Sequence, residues 1–96
     1  MNETRPANPK RITLYALQTC PHCRRLKEYL KEHGVEHELV LVDLLTGDER
    51  SAVLAAVKRI NPASSFPTLV IDDQVIVGYK PEEVEKILHK FGAVSH

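Results

Sequence analysis

From Arg11 to Ala16 the chain reads Arg-Ile-Thr-Leu-Tyr-Ala, with Ile12 and Leu14 on one face and Thr13 and Tyr15 on the other. That two-residue period predicts a first strand. Beyond it, Cys23, Leu26, Tyr29 or Leu30, and His33 recur at helical spacing. Pro21 is well placed as the first helical residue, where a missing N–H costs nothing, and Gly34 supplies a left-handed stop. His37 to Val42 predicts a second strand, whose continuous run Leu39-Val40-Leu41-Val42 is apolar enough for burial on both faces. Asp43 closes it. From about Asp48, the positions Val53, Ala56, Val57 and Ile60 follow the spacing of a second helix, which stops at Asn61-Pro62. After the loop Ala63-Ser64-Ser65 and Pro67, the segments Thr68 to Ile71 and Val75 to Val77 flank Asp72-Asp73-Gln74, which reads as a tight hairpin. Gly78 breaks that run. Pro81 then opens a third helix with the apolar stripe Val84, Ile87, Leu88 and Phe91, ending at Gly92.

The order β-α-β-α-β-β-α predicts an α/β domain in which a right-handed βαβ crossover pairs two parallel strands and the hairpin adds two antiparallel ones. The expectation is a four-stranded mixed sheet flanked by three helices over residues 11–92, with a flexible tail at 1–10 and a short one at 93–96. A chain of 96 residues has material for one modest core. There is no internal repeat and no low-complexity tract.

The 13 Lys and Arg side chains balance the 13 Asp and Glu side chains. No net field therefore gathers nucleic acid or an anionic membrane, and neither is expected as a partner. No run approaches the roughly 18 apolar residues of a membrane span. The first ten residues are polar, carry Pro6 and Pro9, and are neither a secretory signal nor a transit helix as they stand. A cytoplasmic, monomeric protein is the expectation. In that compartment a cysteine pair is catalytic or metal-binding more often than a structural disulfide.

The chain's two cysteines stand in Cys20-Pro21-His22-Cys23, where the strand pattern gives way to the helix pattern. Two thiols at this spacing can close a small disulfide, supply half of a tetrahedral metal site, or fill space. A thiolate is the nucleophile of disulfide exchange, so such a site must lower a cysteine pKa below its free value near 8.5. Cys20 lies at the helix N-terminus, where unpaired N–H groups and the macrodipole place roughly half a positive charge. His22 adds a polarisable neighbour in the same turn. Cys20 is accordingly expected as a partly exposed, low-pKa nucleophile. Three residues on, Cys23 returns to the apolar face shared with Leu26 and Leu30. It is expected to be buried and idle until it attacks a mixed disulfide on Cys20. A structural zinc site takes four protein ligands, and there is no second cysteine pair; the histidines at 22, 33, 37, 89 and 96 are scattered. No metal site is expected within one chain. The contrary reading is a metal or iron–sulfur carrier in which two chains each donate their cysteines to one centre.

With the cysteine motif, Phe66-Pro67-Thr68 and Gly78 in this order, the chain resembles the glutaredoxins and glutaredoxin-like redoxins over about residues 11 to 91. The resemblance implies a thioredoxin-like fold and a dithiol thiol–disulfide oxidoreductase that binds no cofactor. It implies a protein disulfide as substrate and a reductant, either glutathione or thioredoxin reductase. In that family the proline before the third strand is cis, faces the cysteines, and follows a residue whose backbone pairs with substrate. By resemblance these are Pro67 and Phe66.

Glutathione-dependent members carry a lysine three residues before the first cysteine, where this chain has Leu17. They also carry Gly-Gly and acidic residues before the last helix, where this chain has Gly78-Tyr79-Lys80-Pro81. That segment is similar to the redoxins that serve ribonucleotide reductase and take electrons from thioredoxin reductase. The Pro21-His22 dipeptide is similar to that of periplasmic disulfide oxidases. A histidine there stabilises the reduced thiolate and makes the pair more oxidising.

Around this nucleus, Thr68, Gly78 and Tyr79 are further candidates for substrate contact, Tyr79 being equally readable as half-buried packing. Arg24, Arg25 and Lys27 offer cations beside Cys20, and proximity favours Arg24, although basic residues usually form the solvated face of an amphipathic helix. Thr19 is a candidate for substrate contact or for the helix cap.

Overall fold

A computed structural model describes residues 11–91, with the side chains of Lys90 and Phe91 left aside. Strand β1 (Ile12–Ala16) leads to helix α1 (Pro21–Glu32), strand β2 (Glu38–Leu41), a 3₁₀ turn at Val42–Leu44 and helix α2 (Gly47–Ile60). Strands β3 (Thr68–Ile71) and β4 (Gln74–Val77) precede helix α3 (Pro81–Phe91). The element order is the expected one. The stop at Gly92, the stripe position Phe91 and the two tails lie outside what is described.

The sheet runs β2-β1-β3-β4. β1 pairs parallel with β2, placing Ala16 opposite Leu41, and antiparallel with β3, placing Tyr15 opposite Thr68. β3 pairs antiparallel with β4, and Ile71 faces Gln74. Gln74 therefore belongs to the strand, and the hairpin loop is the two-residue Asp72-Asp73. Asp72 takes the left-handed φ of 53° that such a turn requires. It also exchanges bonds with the start of β1: Arg11 N–H donates to Asp72 Oδ1 at 2.9 Å, and Asp72 N–H donates to the Arg11 carbonyl at 2.9 Å.

Parallel and antiparallel pairing together bring the C-terminal ends of β1, β2 and β4 and the N-terminal start of β3 to one end of the sheet. The turn holding Asp72 lies at the other end.

The core joins Ile12, Leu14 and Ala16 of β1 and Leu69 and Ile71 of β3 to Leu26 and Leu30 of α1 and Val84 and Leu88 of α3. Full burial of one such side chain contributes about 1.5–3 kcal/mol. On the opposite face of β1, Thr13 is buried as well, and Val42 and Val57 are buried outside that cluster, so α2 covers the second face. The alternation in β1 thus marks a central strand covered on both sides.

The reverse holds for β2. Its apolar run was expected to be buried on both faces, yet β2 is an edge strand with Leu39 at 37% exposure and Val40 and Leu41 only half-buried. Val42 completes the burial from the 3₁₀ turn, beyond the strand. α2 is also less embedded than its spacing suggests: Val57 is buried, Val53 and Ala56 are half-buried, and Ile60 is exposed. α1 ends as read, with Gly34 at φ +66°, a left-handed position that β-carbon-bearing residues adopt at a cost.

Candidate active site

The turn after β1 delivers Cys20 in an extended conformation (φ −86°, ψ 120°) as the N-cap of α1, and Pro21 follows at the first helical position. Thr19, a candidate for that cap, is exposed one residue earlier. The capping atom is the Cys20 sulfur, which accepts the Cys23 N–H at 3.3 Å in place of the usual oxygen. The Cys20 carbonyl accepts the Arg24 N–H at 3.0 Å and closes the first turn.

The two sulfurs differ in surroundings. Cys20 is half-buried, whereas Cys23 is 2% exposed among Leu26, Leu30 and Ala16. Burial pushes the Cys23 thiol up to about 12, and its hydrogen bond to Cys20 and the charges of Cys20 and Asp43 add to the rise. The Leu17 N–H, donating to Cys23 Sγ at 3.5 Å, opposes it. Leu17 serves both cysteines, since its carbonyl accepts the Cys20 N–H at 3.3 Å.

Asp43 reaches into this turn from the end of β2. Its carboxylate oxygens accept the Gln18 N–H at 3.0 and 3.1 Å. In the sequence, Asp43 marks only the close of the second strand. An acid placed just past the end of a strand parallel to β1 was the available pointer.

On the other side of β1, the Phe66-Pro67 peptide is cis. Continuing the β1–β3 register sets Pro67 beside Ala16, at the sheet end from which the cysteine turn departs. The Pro67 carbonyl accepts the Gly78 N–H at 2.8 Å, which ties the start of β3 to the end of β4. Gly78 has φ +89°, again a left-handed position. Phe66, Tyr79 and Cys20 are half-buried and pack against the same core. Among the described residues the Phe66 backbone forms no hydrogen bond.

Thr68 has a different situation from that expected of a substrate contact. It is fully buried, and its hydroxyl donates to the Ser65 carbonyl at 2.8 Å while accepting from Asn61 Nδ2 at 3.0 Å. Buried Asn61 also donates to the Ser65 carbonyl at 3.1 Å. The side chains of Asn61 and Thr68 therefore brace the loop that carries Phe66 and Pro67. In the sequence, Asn61 marks only the stop of the second helix.

Pro21, His22, Arg24, Arg25 and Lys27 are exposed along the first turns of α1. Among the described residues no group of three or more His, Cys, Asp or Glu side chains gathers to hold a metal. No helix there is long and apolar enough to cross a membrane.

A half-exposed thiol and a buried one share this helix turn beside the cis peptide at the start of β3, an arrangement suited to thiol–disulfide chemistry. The comparisons agree in kind. The family model described as Glutaredoxin matches residues 12–76. A glutaredoxin from Archaeoglobus fulgidus is 38% identical, with a TM-score of 0.76 over 79% of this chain and 83% of its own. The methanoredoxin of Methanosarcina acetivorans is 37% identical, with a TM-score of 0.80 over 90% of this chain and 92% of its own. An uncharacterised glutaredoxin-like 8.6 kDa protein encoded in a rubredoxin operon of Clostridium pasteurianum is 30% identical over 82% of this chain and 99% of its own length.

Proposed function

The chain belongs to the glutaredoxin family, a thioredoxin-fold family of thiol–disulfide redox proteins, and from that premise we propose that it is a dithiol oxidoreductase acting on protein disulfides through Cys20 and Cys23. The observation that carries this reading is the inequality of the two thiols. Cys20 is half-buried at the helix cap, while Cys23 is 2% exposed and pushed up to about 12.

Cys20, as thiolate, attacks one sulfur of the substrate disulfide. A bond forms between the two sulfurs, and the substrate's other sulfur leaves with the electron pair and takes a proton from water. Cys23 then gives its proton to solvent and attacks the Cys20 sulfur. The Cys20–Cys23 disulfide forms, the mixed disulfide breaks, and the second substrate thiolate departs and takes a proton from water. The substrate has gained two electrons and two protons, and the reductant returns the same to the pair. The unpaired Phe66 backbone and the adjoining Pro67 form the docking edge, on which an extended substrate segment pairs as a short strand. Gly78 and half-buried Tyr79 flank it.

Thioredoxin reductase is the reductant this reading favours over glutathione. Leu17 presents no charge for a glutathione carboxylate, and Gly78-Tyr79-Lys80-Pro81 has the redoxin-like pattern. The test compares turnover with NADPH and thioredoxin reductase against NADPH, glutathione and glutathione reductase. Robust turnover confined to the glutathione system would refute the choice of donor. Loss of nothing on Cys20→Ser would refute the dithiol reading as a whole.

A further inference from the structure

Leu17 C=O and Gln18 N–H are the two ends of one peptide group. The carbonyl end accepts the Cys20 N–H at 3.3 Å, and the N–H end donates to both Asp43 oxygens at 3.0 and 3.1 Å. The preceding peptide supplies the Leu17 N–H that meets Cys23 Sγ at 3.5 Å. A single carboxylate from beyond the neighbouring parallel strand therefore holds the peptide that follows Leu17, the residue whose carbonyl meets Cys20 and whose N–H meets Cys23. Hydrogen bonds from N–H to carboxylate are charge-assisted and about twice as strong as neutral ones.

Resting on the dithiol reading above, we propose that Asp43 is a positioning residue for the resolving step: it keeps the Leu17 N–H aimed at Cys23 Sγ, so that the buried sulfur has a donor when it carries negative charge. That donor matters because Cys23 has little else to favour its thiolate. Burial and the nearby charges all act against ionisation, and the Leu17 N–H is the opposing contribution. The Asp43 charge itself is among those that act against ionisation. Asp43 thus helps through its hydrogen bond and hinders through its charge, and the two are separable by substitution. Asp43→Asn keeps an oxygen for the Gln18 N–H and drops the charge; Asp43→Ala drops both. Asp43 is exposed, so neither change opens a cavity.

The experiment is a stopped-flow single turnover of the reduced full chain against a chromogenic aromatic disulfide that releases one coloured thiolate at each step. The first phase reports attack by Cys20, and the second reports resolution by Cys23. Asp43→Ala is expected to leave the first phase within about twofold and to slow the second about tenfold, the effect of losing one hydrogen bond to a charged group. Asp43→Asn is expected to resolve at least as fast as the unsubstituted chain. Equal slowing of both phases in Asp43→Ala, no slowing of the second, or Asp43→Asn as slow as Asp43→Ala would each overturn the positioning role. Release of one coloured thiolate per unsubstituted chain, rather than two, would instead overturn the dithiol reading on which it rests.

Discussion

Cys20→Ser is expected to abolish disulfide-reductase turnover, by about a thousandfold or more, because serine at a helix cap offers no comparable nucleophile at neutral pH. Cys23→Ser is expected to leave the first attack intact and to accumulate the mixed disulfide on Cys20. Intact-protein mass spectrometry checks it: the adduct appears in Cys23→Ser and not in Cys20→Ser. The buried thiol also makes the fold sensitive to alkali. Folding raises the Cys23 pKa from 9.0 to about 12, so the folded chain holds that proton more tightly than the unfolded one. Its contribution is fully present below pH 9.0 and lost as pH rises towards about 12. In urea unfolding of the reduced protein, stability should therefore fall more steeply above pH 9 than in Cys23→Ala. Parallel curves for the two proteins would contradict this. His22 belongs to the same scale. Since a histidine there favours the reduced pair, His22→Tyr should lower the reduction potential by on the order of 30 mV, read by equilibration with thiol–disulfide buffers.

Among the elements, α1 was the most legible from sequence. Pro21, the Cys23-Leu26-Leu30 face and Gly34 each fix one of its features, and all three are local in origin. Thr19 was a candidate for the cap because threonine is the commoner capping residue, and only the backbone course shows that the cysteine sulfur occupies that place. β2 was misread for a different reason. An apolar run says that burial is affordable, whereas edge position is a property of the sheet order and has no local trace. Asp43 and Asn61 were passed over because each looked like punctuation at the end of an element, and their partners, Gln18 and Thr68, are brought to them by folding. The loop from Asn61 to Thr68 carries its own test. Asn61→Ala removes donors to the Ser65 carbonyl and the Thr68 hydroxyl and is expected to destabilise by about 1–3 kcal/mol in urea unfolding. Since that loop ends in the docking edge, KM for a protein disulfide should rise more than kcat falls. An unchanged KM would mean that the network supports the fold alone.

For the molecule as a whole, 13 basic and 13 acidic side chains cancel and set no electrostatic direction. Long-range steering should accordingly be weak. Second-order rate constants with protein disulfides of either charge sign are expected to change less than about threefold between about 20 mM and about 500 mM salt. A loss of tenfold or more with one sign would reveal a local field that the charge balance conceals, and exposed Arg24, Arg25 and Lys27 would be its source. At this scale the β-α-β-α-β-β-α order was readable from periodicity, and the resemblance to the family lay in Cys20-Pro21-His22-Cys23, Phe66-Pro67-Thr68 and Gly78 taken in order. The partner and the donor were not readable, because they depend on surface shape and on molecules outside the chain.

The two-residue turn at Asp72-Asp73, latched to Arg11 by a pair of reciprocal bonds, sits one strand length from the chemistry, roughly 13 Å for four residues. The molecule therefore has a working end and a handling end. Exposed Asp73 offers a point for a fluorophore or a surface tether. A probe carried there would stand clear of an arriving substrate and leave both thiols free to turn over.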